Sequence, residues 1–445
     1  MSNERISFKE KFSYGLGDFS CNMLFTLLGS YLMFFYTDVA GIGLASVGII
    51  MLVARIVDAV TDPIMGGIID KTNTRWGKAR PYILFTAIPF GVISVLTFCS
   101  PDLSQNGKFI YALITYVLFC VMYTALNIPY TTMLCSITDN ENDRLSFNMF
   151  KSVLSNVGAF IASGSTLALV AFFGKGNQET GFTYTVAFYA FIAIVLLLIC
   201  FKNTKERVYP IEEKISFKDS IKVAIKNKPW IVLCIIQFLS FTALFVKNQS
   251  TMYYVKYYIG NESLGPILMS ISGLVAVPVA LVVPKLAKKF GKRNCIIIGQ
   301  VLQIIGLVLT YLAKSNEPVI IAAAVVSAAG FGICISITFV MAAETVDYSE
   351  WKTGLRPQGI LMALIGFMVK LGMAVAGVLS AQILSMGGYV AGAVQSASAI
   401  SAIVASYIWV PVAIAAIIIV VSLFYTLDKE YDTVISDLQK RRNAA

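Results

Sequence analysis

The chain has 445 residues, of which 57% are hydrophobic and only 13% charged, and its mean hydropathy is +0.75. A soluble domain carries about 45–50% apolar and about 25% charged residues, so a water-soluble fold, a disordered chain and a disulfide scaffold are all excluded. The net charge of +10 calls for a partner or a topology to explain it.

There is no histidine, which removes histidine catalysis, histidine metal ligation and histidine proton relays. The eight cysteines are scattered through apolar runs without a CxxC, and read as small buried hydrophobes. No phosphate-binding GxxxxGK[ST] loop occurs, so ATP-driven transport by this chain is not expected. The start, MSNERISFKEKF, lacks the apolar core and cleavage site of a signal peptide and is expected to be retained.

A membrane helix needs about 20 mainly apolar residues. Twelve such runs lie near 13–37, 45–69, 81–100, 109–135, 147–173, 183–201, 230–258, 264–284, 295–313, 318–343, 358–384 and 402–427; 385–401 reads as a loop. The fold class is therefore an all-α membrane protein with twelve transmembrane helices. With the N-terminus inside, 27 of the 35 Lys and Arg residues fall on the cytoplasmic side. That asymmetry follows the positive-inside rule, places both termini in the cytoplasm, and accounts for the charge without nucleic acid.

The chain also repeats itself. Ile6-Ser7-Phe8-Lys9 precedes spans 1–6 and Ile215-Ser216-Phe217-Lys218 precedes spans 7–12, each with an acid (Glu10, Asp219) placed for a capping box. Gly77-Lys78 after span 2 is matched by Gly291-Lys292 after span 8. The expected organisation is a six-helix bundle over 1–201, a cytoplasmic linker over 202–229, a second bundle over 230–427 and a tail over 428–445. Parallel repeats of this kind place a solute site near the midplane between the halves, reached alternately from either side. The segment SFKDSIKVAIKNK at 216–228 reads as an amphipathic surface helix ended by Pro229, or as a plain connector.

Charge inside the spans points to function. Span 2 carries Arg55, Asp58 and Asp62 at i, i+3 and i+7, on one helix face. Unpaired, they would cost about 9 kcal/mol in lipid, so the face must look inward. Asp58 and Asp62 stand one turn apart beside Thr61, and Pro63 frees the Ala59 carbonyl. Such hard oxygen ligands suit Na+ or, by protonation, H+; the competing reading is an Arg55 bridge to both acids that only locks helices together. In span 4, Thr124 and Asn127 share a face beside Tyr123 and ahead of Pro129. Lys151 lies near the start of span 5, Lys247 in span 7 and Lys370 in the middle of span 11, far from either membrane face. Lys370 is expected to pair with a carboxylate or to contact a polar solute.

Several stretches resemble one family. SYGLGDF (13–19), FFYTDVAG (34–41), ARIVDAVTDPIMGGIIDKTNTRWGKARP (54–81), NIPY (127–130) and ETVDYSEWKTGLRPQG (344–359) are similar to the glycoside–pentoside–hexuronide:cation symporters, a branch of the major facilitator superfamily that includes melibiose permease. The resemblance implies cation-coupled uptake of a sugar or glycoside by alternating access, with no cofactor beyond the coupling ion, Na+ or H+. It implies a cation site at Asp58, Thr61, Asp62 and Thr124, with Asp58 and Asp62 as the Na+ ligands if sodium is coupled. It also implies solute contacts at Asn22, Asn127, Lys151 and Lys370, with Asp18 typical of other members; the span residues themselves add Tyr123, and Arg55 and Lys247 as further candidates. Asn22 and Asn127 stand where melibiose permease has sugar-binding aspartates, and Thr61 stands where it has asparagine. Two carboxylates fewer among several lysines would make the cavity more positive, so a hexuronide is a candidate beside a neutral glycoside. The loops with Asp70, Arg75, Lys78 and Arg80, and with Asp347, Glu350, Lys352 and Arg356, offer cytoplasmic ion pairs for an outward-open state, although positive-inside anchoring accounts for the basic members equally well. One such chain in the cytoplasmic membrane needs no partner and is expected to be a monomer. A lysolipid carrier of the same fold is the alternative, and with no metal cluster or nucleophile–base pair an enzyme is not expected.

Overall fold

The structure is a computed structural model that describes residues 6–138, 140–207, 217–355 and 358–444. Among the described residues it is helical throughout, without a sheet. Spans 1–6 are α1 (Phe8–Phe34, continued by a π-helical turn Phe35–Val39), α2 (Leu44–Lys71), α3 (Arg80–Thr97), α4 (Gln105–Ile137), α5 (Glu141–Gly174) and α6 (Gln178–Asn203). A short α7 (Phe217–Lys226) precedes α8 (Lys228–Tyr253, with a π-helical turn Tyr254–Ile259), α9 (Leu264–Phe290), α10 (Lys292–Leu312), α11 (Glu317–Thr353) and α12 (Gln358–Met386). The last span is α13 (Ala397–Val404), a π-helical turn Ala405–Trp409 and α14 (Val410–Ser422), followed by α15 (Leu427–Ala444). Eleven of the described helices are long and apolar enough to cross a membrane, and α9, bent by 63° between residues 276 and 281, completes the expected twelve. Pro278 lies in that bend, where its missing amide hydrogen removes a helical bond.

Local signals place most ends. Ser7 caps α1 by accepting from the Glu10 amide at 3.2 Å. The reciprocal half of the capping box does not form, because the Glu10 carboxylate instead takes two bonds from Arg207, at 2.8 and 2.9 Å. A charged bidentate partner outcompetes one backbone amide. Ser216, which would begin the second box, lies outside the described residues. Pro229 does not end α7; Asn227 caps the next helix, and Pro229 sits in its first turn, where a missing amide hydrogen costs nothing. The loop expected over 385–401 is shorter at its far end, since Ser396 caps α13.

Each span divides between lipid and protein. On α2, Ile49, Leu52, Ile56, Val60, Ile64 and Ile68 form an exposed stripe, opposite the face that carries Asp58. Without a hydrophobic drive between helices in lipid, close packing rests on small residues. A Cβ at Gly158 of α5 would stand 2.6 Å from the Phe19 carbonyl of α1, so this helix pair needs that hydrogen. One core runs through spans 1–6 and continues across to Tyr253, Tyr254, Tyr389 and Tyr407 at the end away from the termini. The remainder of spans 7–12 has a core of its own. The two sets of helices are thus joined by buried packing at one end.

Candidate functional site

The inward face of α2 meets α4 and α12. Asp58 is buried, and the Thr124 hydroxyl of α4 stands 2.9 Å from Oδ1 of Asp58 and 2.9 Å from Oδ1 of Asp62. A hydroxyl has one hydrogen, so it can donate to only one of these oxygens at a time. A hydrogen bond neutralises neither charge, so the pair still needs cationic balance. Lys370 of α12 supplies it, contacting Asp62 Oδ2 and lying 3.3 Å from Asp58 Oδ2. Arg55 reaches Asp58 Oδ2 at 3.5 Å, donates to the Tyr116 hydroxyl at 3.3 Å, and stacks over the Phe25 ring. Two carboxylates therefore face two cations, one from α2 itself and one from the second half of the chain. The Thr61 hydroxyl turns back to the Asp58 carbonyl at 3.2 Å, a bond within its own helix.

Two carboxylates and a hydroxyl within one cluster make a hard-oxygen donor set. It suits an alkali ion or a proton and lacks the soft or imidazole ligands of a transition metal.

A cavity of about 420 Å³ opens between α1 and α5 on one side and α8, α9, α11 and α12 on the other. Of the solute contacts expected from sequence, Asn22 lines it; its amide donates to the Asp18 carbonyl at 3.2 Å. The rest are placed elsewhere. Asp18 is buried, with Ser155 and Lys151 as its polar neighbours, and the Lys151 ammonium lies 5.8 Å from the centre of the Tyr130 ring. Tyr123 stacks on Phe25 with ring centres 4.9 Å apart. Asn127 is half-buried, its side chain without a hydrogen-bond partner among the described residues. Lys370 is held by the two aspartates, and Lys247 lies 5.9 Å from the Tyr407 ring of the last span.

The cavity that Asn22 lines differs in charge from the positive one expected. Lys151, Lys247 and Lys370 have neighbours of their own, and among the described residues every side chain lining this cavity is uncharged. Sequence reasoning missed the polar lining residues Asn156, Asn248, Ser272 and Ser336. An amide at 248 inside an apolar run was a usable signal, overshadowed by the lysine beside it.

A second cluster was also missed. At the end away from the termini, the Asp38 carboxylate, 1% exposed, accepts from Tyr257 at 2.5 Å, Tyr389 at 2.7 Å and Lys256 at 3.3 Å. The neighbouring Thr37 hydroxyl shares a 2.7 Å bond with Tyr253. These bonds join span 1 to span 7 and to the loop after span 11. Burial, and then the Asp38 charge, push the Tyr389 phenol well above its ordinary range. Two π-helical turns bring the partners into register, since Asp38 lies in one and Lys256 and Tyr257 in the other.

Several residues of the loops expected to offer ion pairs have partners among the described residues. Glu206 accepts from the amides of Lys78, Ala79 and Arg80 at 2.8–2.9 Å, and the Arg80 guanidinium donates to the Phe201 carbonyl. Arg75 stacks on Trp76. Asp347 accepts from Tyr431, and Lys352 donates to Tyr348. Arg356 and the side chain of Asp70 lie outside the described residues.

Twelve spans, a cavity at the seam and a charged cluster reaching across it define a secondary transporter rather than an enzyme. The family model for MFS/sugar transport proteins matches residues 13–429, and the chain belongs to that family. It is 41% identical over 98% of its length to the isoprimeverose transporter of Lactiplantibacillus pentosus, covering 92% of that protein. It is 31% identical over 99% of its length to the glucuronide carrier protein homolog of Escherichia coli (strain K12), covering 97% of that protein. In fold it is similar to a crystal structure of a D-xylose-proton symporter, with TM-score 0.69, 13% identity, and coverage of 95% of this chain and 98% of the other.

Proposed function

We propose that the protein takes up a neutral glycoside through the cytoplasmic membrane, driven by an inward gradient of Na+ or H+ that acts at Asp58 and Asp62. The observation that carries the coupling is the Lys370 bridge to both aspartates. With Lys370 and Arg55 in place the cluster is neutral without any coupling ion. An arriving cation brings one charge too many and favours release of Lys370 from the aspartates. The half that bears α2 and the half that bears α12 then lose a buried link, and the seam can open. When the ion leaves, Lys370 returns and the empty carrier closes again. Free energy stored in the ion gradient thus reaches the solute cavity through one lysine.

The bundles at 1–201 and 230–427 are the moving bodies in this reading. The positive-inside bias supports cytoplasmic termini, which makes the Asp38 cluster the outer seal of an inward-facing state. The uncharged cavity supports a neutral solute over a uronide, and likeness to an isoprimeverose transporter agrees with it. The test is uptake by proteoliposomes of labelled neutral glycosides and glucuronides, with Na+ and pH gradients imposed separately. Accumulation of a neutral glycoside under one gradient supports the reading. Accumulation of glucuronides alone, or uphill uptake with neither gradient, overturns it.

A further inference from the structure

We propose that the cavity wall formed by α8, α9 and α11 is the subsite for the second ring of a neutral disaccharide, with Asn248, Ser272 and Ser336 binding its hydroxyls. This rests on the reading of the protein as a glycoside carrier and goes further by assigning the part of the solute that the second half holds.

Both walls leave polar groups free. On the wall made by α1 and α5, the side-chain amides of Asn22 and Asn156 donate to the carbonyls of Asp18 and Ser152, at 3.2 and 2.8 Å. Each keeps its carbonyl oxygen and one amide hydrogen free, and on the same wall the Thr26 and Ser30 hydroxyls have no hydrogen-bond partner among the described residues. On the opposite wall Asn248, Ser272 and Ser336 line the cavity, and among the described residues none of their side chains has a hydrogen-bond partner. Polar groups inside a protein are ordinarily paired, so unpaired ones on both sides of one space call for a ligand with hydroxyls that spans it, or water in its absence. Asn248 offers both donors and an acceptor, and each serine offers one donor.

Apolar surface alternates with these groups. Phe241 and Phe331 meet edge to face with centres 6.5 Å apart, and both line the cavity. A sugar ring has hydroxyls around its rim and C–H groups on its faces, which match polar points set between aromatic rings. Size sets the number of rings. At about 30 Å³ per water, the 420 Å³ cavity has room for roughly fourteen waters, and one pyranose displaces on the order of half of them. A single ring held at the Asn22 wall would leave the Asn248 wall wet. A disaccharide reaches both.

The experiment measures binding of labelled neutral disaccharides (α- and β-linked gluco-, galacto- and xylo-configured pairs) and of the matching monosaccharides to the purified full-length carrier. Asn248→Ala and Ser336→Ala are compared with the unaltered protein, and thermal melting confirms that each variant is folded. Ser336→Ala removes a single oxygen and serves if Asn248→Ala does not fold. The expected result is a tenfold or greater loss of affinity for the bound disaccharide, at least fivefold more than for its monosaccharide. Equal losses for both sugars, no loss for either, or binding of monosaccharides alone by the unaltered protein would overturn the subsite while leaving the glycoside reading intact. If the unaltered protein binds none of these sugars, both readings fall.

Discussion

The ammonium of Lys370 touches the carboxylate of Asp62 across the seam between two sets of helices, although the two residues are 308 positions apart in the chain. Either partner alone would be a charge stranded among apolar helices. Together with Asp58 and Arg55 they form a neutral set that a coupling ion can disturb.

Replacing the lysine separates its two jobs. Lys370→Gln leaves Asp58 and Asp62 with a charge that only the coupling ion can balance. Net uptake, which needs the ion-free carrier to return, is expected to fall at least tenfold, while exchange of labelled for unlabelled sugar with the ion present persists. Parallel net-flux and exchange assays in proteoliposomes check this. Equal loss of both would assign Lys370 to solute binding instead.

Removing either acid should uncouple the carrier. Asp58→Asn and Asp62→Asn take away the charge that attracts the ion, and gradient-driven accumulation is expected to vanish, with the internal level no higher than the external one. Facilitated equilibration down a sugar gradient can remain. Accumulation at the unaltered level in either variant would contradict the mechanism.

Asp38 is expected to hold the far end shut. A hydrogen bond to a charged group contributes about 1.5–3 kcal/mol, and Asp38 takes three from the second half and its loop. Asp38→Asn should therefore raise labelling of a cysteine placed at Ser30, in the cavity wall, by an impermeant thiol reagent added outside, tenfold or more. The pH dependence follows from Tyr389. Its phenol is pushed upward by burial and by Asp38, so the closed state holds that proton more tightly than an open, solvated state does. The closed state loses this support only as pH rises past the ordinary tyrosine value of about 10. Labelling should accordingly stay flat from about pH 6 to pH 9 as far as Tyr389 is concerned.

Helix packing makes a simpler prediction. Gly158→Val puts branched carbon where a Cβ already meets the Phe19 carbonyl at 2.6 Å. Overpacking of this kind costs about 1–3 kcal/mol, and a backbone neighbour cannot swing aside. The detergent-solubilised variant should melt several degrees lower, with less protein recovered in the membrane.

Sequence alone determined the twelve spans and the inward face of span 2, because lipid penalises charge and the helical period puts Arg55, Asp58 and Asp62 on one side. It also singled out Lys370 as a group in need of a partner. Only the tertiary structure decided which partner, since the approach of α12 to α2 depends on packing between helices that no local pattern encodes. The same holds for Asp38: near a membrane face a carboxylate carries little penalty, so nothing in its own neighbourhood marks it as the meeting point of Lys256, Tyr257 and Tyr389. Lys247 shows the converse, a conspicuous charge in the sequence whose helix turns it toward Tyr407 and leaves Asn248, one residue on, to line the cavity.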